Sequence, residues 1–106
     1  MSKVDVTVLM ITFNEAHNLR ELLPQLKTWA KEIIIVDSYS TDETVDVCLE
    51  FKVSLYQRVF KNFGDQWNAA VSIPTDSSWT MKLDPDERVS DDLVSEIALG
   101  MSDDLV

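Results

Sequence analysis

Glycine is nearly absent from this 106-residue chain, which has only Gly64 and Gly100. A dinucleotide fingerprint G-x-G-x-x-G or a phosphate-cradling P-loop needs several glycines within a few residues, so both are excluded. Basic residues are also few, nine against nineteen acidic ones, for a formal net charge of -10 at pH 7. They are scattered singly, and a chain of this balance repels nucleic-acid phosphates and anionic lipid, which excludes polyanion binding through a basic patch. The one cysteine, Cys48, cannot close an internal disulfide, and its setting in "TVDVCLEF" is that of a buried helical thiol. Long apolar runs are missing too. "MSKVDVTVLMITFNE" is broken by Asp5 and Thr7, too short and too polar for a signal peptide or a membrane span, and the expected location is cytoplasmic.

What is present is globular material: 45% hydrophobic and 26% charged residues, enough for one core that buries roughly 65% of the unfolded surface. "VDVTVLMIT" (4–12) begins in alternation and ends fully apolar, as a strand does on entering a sheet covered on both faces. Leu19, Leu22, Leu23, Leu26 and Ala30 then recur at helical spacing, with Asn18 and Glu21 as a capping box and Pro24 expected to kink or shorten the helix. "EIIIVD" (32–37) is a β-branched strand. Ser40 and Glu43 are expected to cap a helix with Val45, Val47, Cys48 and Phe51 on its apolar face. "VSLYQRVF" is a weaker strand, "FGDQWNAAVSI" a short helix with Trp67, Ala70 and Val71 inward, and "WTMKL" a strand with Trp79, Met81 and Leu83 on one face. Ser90 or Asp91 caps a last helix that Gly100 should stop.

Strand and helix in alternation predict an open, mostly parallel α/β sheet flanked by helices, with ligands beyond the carboxyl ends of the strands. That rule singles out "TFNE", "DSYSTD" and "DPDE", all unusually polar for such short connections. Asp84 and Asp86, one residue apart after a buried strand, can converge on a hard divalent cation. Bound Mg²⁺ or Mn²⁺ would supply the positive charge that a net-negative protein needs to hold a diphosphate. Asp91 and Asp92 are instead helix-start chemistry, His17 is a solvated loop side chain, and Trp67 and Trp79 are expected in the core, although an aromatic near a sugar site could stack on it. Phe13 has two readings, packing under the sheet end or lying against a base.

The ordered set "VTVLMITFNEAHNLRELLPQLKTWAKEIIIVDSYSTDETVDVC", "FGDQWNAAV" and "WTMKLDPDERVS" resembles the nucleotide-binding half of a bacterial family 2 glycosyltransferase of the Rossmann-like GT-A fold. It is most similar to the branch with the lipopolysaccharide core glucosyltransferases. The resemblance implies one nucleotide-sugar-binding domain over residues 1–106, the N-terminal part of a longer enzyme that transfers a sugar from a UDP-sugar to a glycan or lipid-linked acceptor, at the inner face of the membrane in the latter case. By position, Thr12, Phe13, Asn14 and Glu15 would line the base and ribose pocket and Asp37 would contact the pyrimidine. Asp65, Gln66 and Asn68 would flank the diphosphate and sugar. Asp84-Pro85-Asp86 would be the D-x-D motif, with Asp86 on the metal and Asp84 shared between ribose and metal.

Two departures from the family pattern stand out. Many members have a second acid after the residue matching Asp37, and here that place is Ser38. The acceptor-binding half, with the carboxylate that acts as general base in an inverting displacement, is expected beyond residue 97, so no catalytic base is assigned here. Glu87 shares its loop with the metal ligands on the leaving-group side and is not a candidate. Strands from that other half should pair beyond "WTMKL", and their lack would leave an edge prone to self-association and a chain inactive by itself. The rivals are a non-catalytic nucleotide-sugar or protein-binding module and a D-x-D-x-T phosphatase. The phosphatase is weakened by Arg88, where a small or β-branched residue is usual, and by the shortness of the chain after the motif.

Overall fold

A computed structural model describes residues 3–104. The elements run β1 (Val4–Thr12), α1 (Ala16–Trp29), β2 (Ala30–Asp37), α2 (Thr44–Glu50), β3 (Ser54–Gln57), α3 (Phe63–Val71), β4 (Trp79–Lys82) and α4 (Asp91–Asp104). The four strands form one parallel sheet in the order β3-β2-β1-β4. β1 to β3 step outward in one direction and β4 returns to the other side of β1, so the winding reverses between β1 and β4. Such a reversal opens a crevice at the carboxyl ends of the two strands.

Alternation along the strands divides the core. Val6, Val8 and Met10 of β1 and Ile33 and Ile35 of β2 pack in one cluster with Leu19, Leu22, Leu23 and Leu26 of α1. Leu9, Ile34 and Val36 point to the opposite face and are equally buried, so both faces of the central strands are covered. This double burial is why "VLMI" and "IIIV" are continuous apolar runs.

Several local expectations are corrected by long-range contacts. Asn18 and Glu21 form no capping box: α1 begins earlier, at Ala16, and its N-cap Glu15 makes no side-chain cap. The first amides of α1 are satisfied from the loop after β2, with Glu15 N donating to Thr44 Oγ1 at 2.9 Å and Ala16 N to Asp42 Oδ2 at 3.2 Å. Pro24 does not shorten α1, since it lies on the exposed side, where water can reach the carbonyl its missing N–H leaves free. Ala30 is the C-cap of α1, its N–H donating to Leu26 O, and it also opens β2. Ser40 does not cap α2; the N-cap is Glu43, and Asp42 Oδ1 accepts from Thr44 N at 2.8 Å.

In α3 the buried residues are Gln66 and Ala70, while Val71 is half exposed. Asn62, whose side chain accepts from Asp65 N, sets the helix start and turns Val71 outward. Trp79 is exposed rather than core, because β4 is an edge strand among the described residues. Ser90 Oγ accepts from Leu93 N at 3.1 Å at the start of α4, but Gly100 does not end that helix, which continues to Asp104.

Cys48 is fully buried among the core residues of α2. Burial first, and then the charge of Asp37, push its thiol up to about 11. The native chain should therefore resist iodoacetamide at pH 8 and label only as fast as it opens, whereas urea-unfolded chain labels at the rate of a free thiol. Rapid native labelling in a mass-spectrometric time course would contradict this burial.

Candidate functional site

The site begins where β1 and β2 end side by side, with Thr12 paired to Asp37. Asp37 is fully buried. Its carboxylate accepts from Thr12 Oγ1 at 2.7 Å, from Ser40 Oγ at 2.5 Å and from Ser40 N at 2.9 Å. Ser40 Oγ in turn accepts from Asn14 N at 2.8 Å, and Asn14 Oδ1 accepts from Thr41 N at 2.8 Å and Asp42 N at 3.2 Å. Asn14 and Tyr39 both hold positive φ, 54° and 55°, directly after the two strands. The strain is small for Asn and larger for Tyr, and Tyr39 is held there by donating its N–H to Gln57 Oε1 at 2.8 Å.

The third strand end comes from β4. Lys82 pairs with Leu9, and Leu83 N donates to Leu9 O at 3.0 Å, so the residues that follow run alongside the last residues of β1. Glu87 closes this loop on itself: its Oε1 accepts from Asp84 N at 2.8 Å and its N donates to Asp84 O at 2.9 Å. Arg88 then ties the loop to α1. Its guanidinium donates to Pro85 O and Glu21 Oε2, each at 2.8 Å, and to Asn18 Oδ1 at 3.2 Å, while Asn18 Nδ2 donates to Glu15 Oε2 at 2.9 Å. The hydrogen bond from Arg88, aided by the charge of His17, holds the Glu21 carboxyl below its ordinary range.

Between these ends lies a cavity of about 770 Å³, whose lining includes Thr12, Phe13, Glu15, Ser38, Asp84 and Asp86. Phe60, Phe63 and Trp67 form an aromatic part of the wall, with Phe60 and Phe63 edge to face at 5.2 Å. Trp67, expected in the core, is half-buried against the cavity, and Lys82 Nζ lies 5.3 Å from its ring centroid.

Of the residues singled out in the sequence, Thr12, Phe13, Glu15, Asp84 and Asp86 reach this one cavity. Asn14 braces the neighbouring loop instead, and Asp37 lies beneath the lining with both carboxylate oxygens engaged. Asp65 pairs with Arg58 at 3.0 Å, Gln66 is buried under Ser38, and Asn68 is exposed away from the lining. The lining residues that the sequence did not assign to the site are Ile11, Asn18, Ser38, Phe60, Phe63 and Trp67. Ser38 stood out only as a departure from the family pattern, and Phe60 and Phe63 could have been found from their three-residue spacing beside a polar connection.

Among the described residues no group of three or more His, Cys, Asp or Glu side chains surrounds a common point. Two carboxylates in one crevice fit a different kind of site, since Mg²⁺ and similar ions are held by one or two carboxylates with the remaining positions filled by water and substrate phosphates. Both Asp84 and Asp86 are exposed to the cavity. Among the described residues no helix is long and apolar enough to cross a membrane.

Four parallel strands flanked by helices, with a crevice where the winding reverses and two acids in its lining, define a doubly wound α/β domain. The sequence pattern of Glycosyl transferase family 2 matches residues 7–105, and the chain belongs to that family. An uncharacterized glycosyltransferase of Rickettsia bellii is 30% identical over 92 residues, covering 87% of this chain and 31% of the relative. The crystal structure of S. aureus TarS 1-349 in complex with UDP superposes with a TM-score of 0.72 at 19% identity, over 92% of this chain and 32% of that one. Glucosyl-3-phosphoglycerate synthase from Mycobacterium tuberculosis, in complex with Mn²⁺, UDP and glucosyl-3-phosphoglycerate, gives a TM-score of 0.57 at 19% identity, over 76% and 33%. The chain spans about a third of the length of the curated relatives it matches.

Asp42 gives a test of the loop brace. Burial alone would raise its pKa, but hydrogen bonds from the Thr44 hydroxyl and amide and the Ala16 amide outweigh it and hold the carboxyl below the ordinary range. A folded pKa below the unfolded one stabilises the fold fully above the unfolded value of about 3.9, and that stability is lost as pH falls through the folded pKa. Asp42→Asn should cost about 1 kcal/mol or less at pH 7, as for an exposed cap, with the difference shrinking below about pH 4. Urea titrations of both chains at pH 7 and pH 3 measure it, and a gap that widens in acid would contradict the sign.

Proposed function

We propose that this chain is the donor-binding part of an enzyme that moves a sugar from a UDP-sugar to a glycan or lipid-linked acceptor. The observation that supports it most is the meeting of Thr12 at the end of β1, Phe13 and Glu15 just after it, Ser38 after β2, and Asp84 and Asp86 after β4 around one cavity. Its volume is within the range of nucleotide-sized ligand sites. The Mn²⁺ and UDP in a structure of the same fold add support.

In this reading the aromatic wall of Phe13, Phe60, Phe63 and Trp67 shelters the base and sugar from water, and Asp84 and Asp86 hold a divalent cation. That cation, when bound, offsets the charge that grows on the leaving diphosphate. Arg88 and Glu87 hold the acidic loop in place without entering the cavity. The expected course is a single inverting displacement by an acceptor hydroxyl, whose general base is assigned to no residue of this chain. A lipopolysaccharide acceptor and pairing of two copies along the β4 edge belong to the same proposal. Exposed Trp79, at the start of β4, which is an edge strand among the described residues, favours such pairing.

Calorimetry should show UDP binding with Mn²⁺ present and its loss in EDTA, since an acidic crevice repels two phosphates. Equal affinity in both would remove the metal from the proposal. Asp86→Ala should abolish the metal dependence at a cost of about 2 kcal/mol in UDP affinity, with an unchanged fold because Asp86 is exposed. Sedimentation velocity on the same samples should show a concentration-dependent dimer, and a monomer at all concentrations would remove the edge pairing.

A further inference from the structure

Gln66 is fully buried in α3, yet it carries an amide whose Oε1 has no hydrogen-bond partner among the described residues. An orphaned buried acceptor destabilises the fold, so a position that served packing alone would be better filled by an apolar side chain of similar volume. The other end of the amide is engaged. Nε2 donates to Ser38 Oγ at 3.0 Å and, less closely, to Arg58 O at 3.4 Å. A backbone carbonyl can only accept, so Arg58 O sets the amide with its nitrogen toward Ser38. Ser38 Oγ therefore accepts from the protein, and its own O–H is left to donate elsewhere. Ser38 lines the cavity, and none of the described side-chain hydrogen bonds uses its proton.

The position of Ser38 selects the part of the ligand it meets. It follows β2, whereas Asp84 and Asp86 follow β4, and β1 lies between those strands. Two strand spacings separate the two sides of the crevice, roughly 10 Å, about the reach from a diphosphate to the far edge of a nucleobase. With the phosphates at the acidic side, the base falls toward Ser38.

We propose that Gln66 is a positioning residue that fixes the Ser38 hydroxyl as a hydrogen-bond donor into the cavity, toward a carbonyl oxygen of a pyrimidine base. The inference rests on the nucleotide-sugar reading and adds base selection to it. A carboxylate at this place would instead accept from an imide N–H, so the two chemistries make opposite demands on the ligand.

Binding of UDP to the full chain with saturating Mn²⁺ is compared by calorimetry with the 5′-diphosphates of 2-thiouridine and 4-thiouridine, whose sulfur is a poor acceptor. The parent should bind one of the two roughly tenfold more weakly than UDP, the loss of one well-made hydrogen bond. Ser38→Ala should weaken UDP by the same factor and bind the analogues no differently from UDP. Gln66→Met, similar in volume and without the orphaned oxygen, should keep or raise the melting temperature of the unliganded chain while losing the discrimination. A lowered melting temperature with discrimination intact would make Gln66 structural and overturn the proposal. So would a parent indifferent to both analogues, or a Ser38→Ala chain that binds UDP as the parent does; in either case the nucleotide-sugar reading stands. No UDP binding by the parent overturns both.

Discussion

The buried carboxylate of Asp37 is the constraint on which the rest of the site depends. A charge taken wholly out of water is tolerated only when hydrogen bonds replace its hydration. Here the replacements come from Thr12, at the end of the neighbouring strand, and from the amide and hydroxyl of Ser40, in the loop that follows. Meeting this one need joins the carboxyl ends of β1 and β2 and fixes the course of both loops beyond them. Asn14 and Asp42 extend the same web until the start of α1 is capped by residues that precede and open α2. The two βα units are thus bound together at the end of the sheet where ligands enter.

That web also explains how a chain with two glycines builds tight turns over a binding crevice. Left-handed backbone is usually assigned to glycine, but Asn14 and Tyr39 adopt it here. Each is held by hydrogen bonds to the opposite loop or to β3, so the local cost is met by contacts that also order the site. A site ordered before its ligand arrives loses less entropy on binding. The loop after β4 is ordered by different means: Glu87 closes it and Arg88 fastens it to α1, so neither competes with Asp84 and Asp86 for the cavity.

Charge is distributed accordingly. Arg20 reaches Glu43 and Glu50, Lys31 reaches Asp5, and Arg58 reaches Asp65. These basic groups are committed to the protein's own carboxylates, and such exposed pairs contribute little stability individually. The cavity lining among the described residues carries no basic side chain; its polar groups are neutral or acidic and part of its wall is aromatic.

The sequence by itself determined the alternation of strands and helices, the doubly covered β1 and β2, and the three polar stretches at strand ends, because these follow from periodicity and from the cost of burying polar groups. It also singled out Asp84 and Asp86, and both line the cavity. Only the tertiary structure decided which side chains within those stretches face the cavity. Asn14 and Asp37 were drawn into the brace, Ser38 was turned to the cavity, and Gln66 was placed beneath it. The capping expected of Asn18 failed because Thr44 and Asp42, far away in sequence, meet the first amides of α1, whereas Ser40 is drawn to the buried Asp37 and Asp42 meets the α2 amide in its place. No pattern within one segment can report a bond whose other half is 25 to 29 residues away.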